Sequence, residues 1–556
     1  MGPPPARKAT TDHIGGCHGM WSCGRLFAAL RDANLFEDPK AIVDRPLLAS
    51  PPVVTTSFEA VPRGPDGKMD GAMLMSFVEE HFALEGSDLE ELVPQDWSEK
   101  GTEWLQSVPA TGPMRDWAKQ LNELWKCLYK KANPSPANPD RHSLLPVPHP
   151  ILVAGGRFRE MYYWDSYWTV KGLLVCGMHR TASLQVENLL YLLDQHGHVP
   201  NGNRVYYLNR SQPPLLSAMV DLIWQATGCV EFLAYATPLL VREHSYWMVH
   251  PHCVRVKGLS GQVHNLSRYH ADWTLPRPES YGADVVTASL ATARQPEAVY
   301  RDLASAAESG WDFSSRWLQS PCSLHTIRTT SVVPADLNGF LFQMETNIAR
   351  FAAALNDNAT CKAFQALARA RQAAMDDVLW NGNSHQWKDF LLETETHCEC
   401  DAVKEIVWDG SQSSGTYASN WLPLWCGLQP ANGTDAEEVV ESCRRSGLIC
   451  SAGIATSLVE SGQQWDFPNG WPPLQCMLIE GLMGAGPKGM DLAQSLARAW
   501  LATNFETFQK TGHMHEKYDV REIGRAGAGG EYTPQVGFGW TNGVALFLLQ
   551  TFGWQA

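Results

Sequence analysis

The sequence predicts an all-α protein in which helices form the scaffold and long loops carry the chemistry. Three observations support this prediction. After about residue 170, apolar residues recur mainly at the three-to-four-residue spacing of amphipathic helices. Alternating patterns typical of strands are scarce and short. The segments between the predicted helices are long and rich in Gly, Pro, Asn and aromatic residues, the composition of loops that display functional groups.

The amino-terminal part of the chain is expected to be less regular. We interpret residues 1–20 as a loosely ordered leader. Residues 26–48 are partly helical, and the pair Pro51-Pro52 is expected to interrupt this pattern. Two further segments rich in Pro or Gly are predicted to be a loop and an extended connector, at residues 61–72 and 132–150.

Three helices farther along are predicted from spacing alone. They cover residues 340–355, 364–378 and 492–503, and Asp491 is expected to be the N-cap of the third. We find no repeat of fixed period. Four Trp-Asp dipeptides lie 147, 97 and 57 residues apart, whereas the repeats of a Trp-Asp propeller recur every ~40–45 residues. The sequence therefore excludes a propeller.

Composition and charge narrow the possible functions. Of the 556 residues, 44% are apolar and 19% charged, which is enough apolar material for a large core. The formal net charge of −15 disfavours nucleic acid and anionic membranes as partners. No uncharged apolar run reaches ~18 residues, so a membrane span is not expected. The 22 Trp fit either a Trp-rich core or flat faces that stack on a ligand such as a sugar.

Cysteines and terminal segments suggest neither a metal nor a targeting signal. The 14 Cys are sparse, and the one tight pair, Cys398 and Cys400, lacks enough further ligands at metal-binding spacing. We therefore expect no metal and no cofactor. No signal peptide or anchor is visible, and the compartment is left open.

Six segments mix charged side chains with aromatic rings. They are residues 155–168, 200–214, 275–279, 308–317, 464–473 and 516–532. A ligand rich in hydroxyl groups requires this mixture, because carboxylates and Arg hydrogen-bond the hydroxyls while rings stack on C–H faces. Each segment alone also fits a capped helix end, a solvated loop or a structural ion-pair network. Six of them in one chain favour a binding cleft.

Together these segments resemble the trehalase family of glycoside hydrolases. Residues 155–168 are similar to one family signature and residues 464–475 to the other. The further matches, in chain order, are residues 201–214, 277–279, 308–317, 516–519 and 529–542. The resemblance implies an (α/α)6 toroid with its active site in the mouth of the helical barrel, and a single catalytic domain over residues 21–556. It also implies hydrolysis of the disaccharide α,α-trehalose to two glucose molecules, with inversion and without a metal.

The same resemblance assigns roles to residues. Asp312 matches the general acid and Glu516 the general base. The substrate-binding positions match Arg157, Phe158, Trp164, Asp165, Asn201, Arg210, Ser211, Gln212, Arg277, Glu279, Gly310 and Glu531. Trp465 and Asp466, in the second signature, are expected to line the same pocket. His515 stands where the family usually has an apolar or aromatic residue, and we hypothesise that it shifts the pH profile of Glu516.

Physical reasoning about the reaction gives further expectations. Apolar walls from Trp311 and Phe313 are expected to raise the pKa of Asp312 and keep it protonated as the acid. An inverting pair of carboxyl groups is held ~6.5–9.5 Å apart to admit a water molecule. Two alternatives stay open at this point. One is another glycosidase on the same toroid, such as a glucoamylase-like enzyme acting on other α-glucosides, and the other is a sugar-binding protein or sensor without catalysis.

Overall fold

The structure is a computed structural model that describes residues 21, 24–98, 103–132, 138–400 and 403–554. The predicted leader, residues 1–20, lies outside the described residues. So does Asp401, and no side chain from residue 396 to 405 is described, which leaves the Cys398–Cys400 segment untested as a ligand cluster.

The amino-terminal part of the described chain forms short helices. They are α1 (Arg25–Asp32), α2 (Lys40–Val43), α3 (Pro51–Glu59) and α4 (Gly71–His81). Pro51 and Pro52 begin α3, so the expectation that they interrupt helical structure is wrong. The reason is that Pro is tolerated in the first helical turn, where backbone N–H groups have no intrahelical partner. Asp70 caps α4 by accepting from two backbone N–H groups at 3.0 Å.

Twelve of the helices in the described part of the chain form two concentric rings, with six helices in each. The inner helices are α6 (Asp165–Val175), α8 (Leu216–Thr227), α12 (Ala335–Ala354), α14 (Leu422–Trp425), α16 (Pro472–Met483) and α18 (Gly539–Phe552). Each packs against the next, and α18 packs back against α6. The outer helices are α5 (Gly112–Leu128), α7 (His179–His196), α9 (Val230–Trp247), α13 (Asn358–Val378), α15 (Ala436–Arg444) and α17 (Gly486–Thr511). This arrangement is the (α/α)6 toroid, as predicted. Two further helices, α10 (Tyr281–Leu290) and α11 (Pro296–Glu308), lie between α9 and α12 in the chain.

The ring closes where α6 meets α18, and two glycines allow the close contact. A Cβ atom added at Gly543 would lie 2.0 Å from the carbonyl oxygen of Trp168, and one added at Gly172 would lie 2.5 Å from the Cα of Gly543. Since α6 and α18 touch neighbours on every side, most of their side chains are buried.

The three helices predicted from spacing are present. Residues 340–355 and 364–378 lie in or at the end of α12 and α13, and residues 492–503 lie within α17. Asp491 is not the N-cap of α17, because the helix begins five residues earlier at Gly486 with Pro487 in its first turn.

Strands are more extensive than the sequence predicts. Two long strands, β9 (Phe390–Cys400) and β10 (Val403–Gln412), form an antiparallel hairpin. They join three shorter strands, β4 (Cys253–Lys257), β5 (Val263–Ser267) and β6 (Val332–Val333), in a five-stranded sheet with the order β5-β4-β10-β9-β6. The hairpin escaped prediction because Glu, Thr, Lys, Asp and Ser occupy much of its two long strands, so no regular alternation of apolar and polar residues marks it in the sequence.

The remaining strands are short pairs that fasten loops to the barrel. They are β1 (Leu89–Glu91), β2 (Tyr129–Ala132) and β3 (Ile151–Leu152) in one sheet, β7 (Trp380–Asn381) with β8 (Gln386–Trp387), β11 (Ile449–Cys450) with β12 (Gly453–Ile454), and β13 (Asn469–Gly470) with β14 (Tyr518–Asp519). The last pair joins the two loops that carry residues 464–473 and 516–532. None of the helices in the described ranges has the length and apolar character that a membrane crossing requires.

Candidate active site

A cleft with about 700 Å³ of space, counted out to its open mouth, lies at the amino-terminal ends of inner helices α6, α8, α16 and α18. Its wall is built from the loops that precede those helices and from the loops before α10 and after α11, so chain segments hundreds of residues apart meet there.

The cleft brings together the residues that the family resemblance implies, with two exceptions. Those that line it are Arg157, Phe158, Trp164, Asp165, Asn201, Arg210, Gln212, Arg277, Glu279, Gly310, Asp312, Trp465, Glu516 and Glu531. Both proposed catalytic carboxyl groups are therefore in the same cavity.

Asp466 and Ser211 do not line the cleft, and the expectation that Asp466 lines it is wrong. The Asp466 carboxylate is buried and turned toward four serines, Ser314, Ser315, Ser457 and Ser461, which donate hydrogen bonds to it. Ser211 is also buried, and its hydroxyl donates to the carbonyl oxygen of Val199 at 2.7 Å. Both residues hold the loops that form the wall.

Asp312 lies in the cleft wall between two buried aromatic residues, Trp311 and Phe313. Burial raises the pKa of the Asp312 carboxyl to about 7, and the charge of Glu531 acts in the same direction. The Arg277 guanidinium opposes this rise because it favours the ionised form. Asp312 therefore holds its proton through mildly acidic conditions.

Glu516 is held in a different environment. Its Oε1 accepts from the Tyr532 hydroxyl at 2.6 Å, and its Oε2 accepts from the backbone N–H of Gln535 at 3.2 Å. Burial raises the pKa of the Glu516 carboxyl, whereas Lys517, these two hydrogen bonds and Arg157 act to lower it. Groups that favour the carboxylate thus surround the residue expected to be the base.

Each of the three arginines in the cleft has a carboxylate partner. The pairs are Arg157 with Asp38 at 2.6 Å, Arg210 with Glu279 at 2.6 Å, and Arg277 with Asp284 at 2.7 Å and Glu531 at 3.3 Å. Within the described part of the chain, Nε of Arg157, Nε of Arg210 and Oε2 of Glu279 are buried without a hydrogen-bond partner. Buried polar atoms normally have partners, so these three atoms of cleft-lining residues are exceptions.

Tryptophan rings form one wall of the cleft. Trp465 and Trp471 stack with ring centroids 3.9 Å apart, and Trp164 and Trp540 pack around this pair. Gly310 makes the arrangement possible. Its φ of +74° suits glycine, and an added Cβ atom would lie 2.7 Å from the Trp164 ring.

Other cleft residues were not singled out from the sequence. They are Lys40, Ala154, Tyr162, Tyr207, Ser280, Ala307, Trp471, Tyr532, Phe538 and Trp540. Several of them, such as Tyr162 and Trp471, belong to the aromatic and charged segments, which is the signal that could have identified them. Lys40 does not belong to such a segment. The packing of α2 brings it to the cleft, and its sequence neighbours give no sign of this.

His515 does not line the cleft. Its ring lies within hydrogen-bonding distance of the Thr511 hydroxyl, at 3.2 Å, and its burial lowers its own pKa. The effect of His515 on the pH profile of Glu516 stays a prediction.

Comparisons with known proteins agree with this geometry. A family model described as Trehalase matches residues 34–553. The trehalase of Arabidopsis thaliana is 40% identical and covers 93% of this chain and 83% of its own length, and that of Homo sapiens is 40% identical and covers 99% and 90%. Among solved structures, a neutral trehalase from Saccharomyces cerevisiae has a TM-score of 0.57 at 26% identity and covers 72% of this chain and 73% of its own. The chain belongs to the trehalase family.

Proposed function

We propose that this chain hydrolyses α,α-trehalose to two molecules of glucose, with inversion at the anomeric carbon that is attacked. The observation that carries the proposal is the pair Asp312 and Glu516, which line one cavity in different environments: burial raises the pKa of both carboxyl groups, to about 7 for Asp312, whereas Lys517 and two hydrogen bonds oppose the rise at Glu516. Burial keeps a proton on Asp312 up to a pH of about 7, whereas hydrogen bonds from Tyr532 and the Gln535 backbone favour the Glu516 carboxylate.

These two groups supply both proton transfers of the reaction. Asp312 gives its proton to the oxygen that bridges the two glucose units, so that one glucose leaves as a neutral alcohol. Glu516 removes a proton from the attacking water, whose oxygen forms the new bond to the anomeric carbon from the opposite face. One water is consumed, and the two glucose molecules form as one α and one β anomer.

The rest of the cleft suits a neutral disaccharide. The guanidinium and carboxylate pairs present charged hydrogen-bonding atoms for sugar hydroxyls while their opposite charges offset one another. The tryptophan wall offers apolar ring surface to the C–H sides of the glucose rings. We also propose that residues 21–556 act as one catalytic domain, because Asp38 near the amino-terminal end contacts Arg157 and α18 near the other end closes the ring.

The test is glucose release from trehalose by the purified protein, with maltose and sucrose as comparison substrates. Early-time NMR should show one α-glucose and one β-glucose for each trehalose. Asp312→Ala and Glu516→Ala should abolish turnover while the far-UV circular dichroism spectrum is retained.

Three outcomes would contradict the proposal. Hydrolysis of maltose but not trehalose would favour a glucoamylase-like enzyme. Trehalose binding without turnover would favour a sugar sensor. Two α-glucose signals at early times would exclude inversion.

A further inference from the structure

The segments of Asp312 and Glu516 are joined by one side chain, that of Gln464. Its amide Nε2 donates to the carbonyl oxygen of Asp312, and its Oε1 accepts from Nζ of Lys517 at 2.8 Å. Lys517 directly follows Glu516 in the chain. Gln464 therefore connects the backbone of the proposed acid to the residue beside the proposed base.

The Lys517 side chain is a buried ammonium group. The residue is 0% exposed, and its Nζ also donates to the carbonyl oxygen of Gly529 at 3.1 Å. Nζ lies 5.0 Å from the centre of the Trp471 ring and 5.6 Å from that of Tyr532. Carbonyl oxygens and ring faces stabilise a cation without neutralising it.

Two of the three other buried lysines among the described residues show the contrast. Nζ of Lys40 and Nζ of Lys171 each contact a carboxylate directly. The hydrogen bonds of Lys517 go instead to neutral oxygen atoms. Its charge is thus left to act on the carboxyl groups of the cleft.

We propose that Lys517 is a positioning residue for the base: Gln464 and Gly529 hold its ammonium group beside the cleft, where it stabilises the Glu516 carboxylate. The inference rests on the proposed function, because it gives Glu516 the role of the base. The inference adds that the Lys517 cation sets the pH at which Glu516 becomes active as the base. Gln464 links this cation to the segment that carries Asp312.

Electrostatics around Glu516 support this role. Among the groups that favour the Glu516 carboxylate, Lys517 has the largest effect on its pKa. Arg157 and Tyr532 also favour the Glu516 carboxylate. The other titratable groups in its surroundings are Asp165, Asp312 and the preceding residue, His515. In turn, the charges of Glu516 and Asp312 favour the ammonium form of Lys517 against its burial. Removing the cation should raise the pKa of Glu516.

The experiment measures kcat/KM for trehalose as a function of pH, because its acidic limb reports the base of the free enzyme. Lys517→Gln removes the charge but keeps an amide that can donate to Gln464. We expect its acidic limb to move up by about one pH unit, the low end of what a neighbouring opposite charge does to a carboxyl pKa. Lys517→Arg keeps the charge and should move the limb back toward its wild-type position.

Two further variants separate charge from packing. Lys171→Gln removes another buried ammonium, which pairs with Glu480 away from the cleft, and should leave the limb in place. If Lys517→Gln does not fold, Gln464→Glu places a negative charge against Lys517 and should also move the limb to higher pH.

The results distinguish the inference from the proposed function. A folded, active Lys517→Gln whose acidic limb coincides with that of the wild type overturns the inference alone. So does a Lys171→Gln limb that moves as far as that of Lys517→Gln, since the effect would then be general. A wild-type protein that releases no glucose from trehalose overturns the proposed function and the inference with it.

Discussion

Replacing Asp312 with Asn is expected to remove activity and, at the same time, to stabilise the folded protein. The amide has nearly the shape of the protonated carboxyl, but its N–H protons are too weakly acidic to be transferred to the leaving oxygen. Loss of general acid catalysis lowers turnover by about 100-fold or more. The stability gain follows from the pKa of Asp312, which burial raises from 3.8 to about 7.

The pH dependence of this gain can be worked out from the two pKa values. Below pH 3.8 the carboxyl is protonated in both the folded and unfolded states, so its titration contributes nothing. Between 3.8 and about 7 it ionises only on unfolding, so the wild type loses about 1.4 kcal/mol of stability for each pH unit. The full effect is about 4 kcal/mol. The side chain faces a cleft that water enters, which reduces this effect. We therefore expect Asp312→Asn to gain about 2–4 kcal/mol of stability above pH 7.

The assay compares the melting temperatures of the wild type and Asp312→Asn between pH 4 and pH 8. The difference should be near zero at pH 4, rise to pH 7 and then level off. Asp466→Asn is the control, because its carboxylate accepts hydrogen bonds from several serines. That variant should lose stability, since an amide cannot accept from all of them. An Asp312→Asn variant less stable than the wild type at pH 7.5, or a gain that does not change with pH, would refute the reasoning.

Two further predictions concern the pH profile and the tryptophan wall. The kcat/KM profile for trehalose should be bell-shaped, with a basic limb near pH 7 from Asp312 and an acidic limb above pH 4.5 from Glu516; a basic limb above pH 8.5 would contradict it. Gly310→Ala forces a methyl group to 2.7 Å from the Trp164 ring, so kcat/KM should fall by about 100-fold. Gly228→Ala, at a similar positive φ with nothing within 4 Å of the added carbon, isolates backbone strain and should keep full activity.

The local sequence carried enough information to identify the family and most of the cleft. Asp312 and Glu516 stand in long segments of rare residues, and such segments are recognised without knowledge of packing. The helices α12 and α13 were predicted because each buries one stripe of apolar side chains. The start of α17 was missed because proline in a first turn looks like a helix breaker when its position in the helix is unknown.

The local sequence pattern could not predict which side chains face the cleft. Asp466 and Trp465 are neighbours in one signature, yet Trp465 faces the cleft and Asp466 turns to buried serines. Lys40 reaches the cleft although nothing around it in the sequence suggests a binding residue. Such outcomes depend on which neighbours a backbone segment meets.

By itself, the sequence determined the helical scaffold, the family and the residues that bear the chemistry, because periodicity and motifs are written in neighbouring positions. Only the tertiary structure decided the protonation tendencies of Asp312 and Glu516 and the bridge from Gln464 to Lys517. Burial, charge and hydrogen bonding act through space, between residues that the ring of helices brings together from distant parts of the chain.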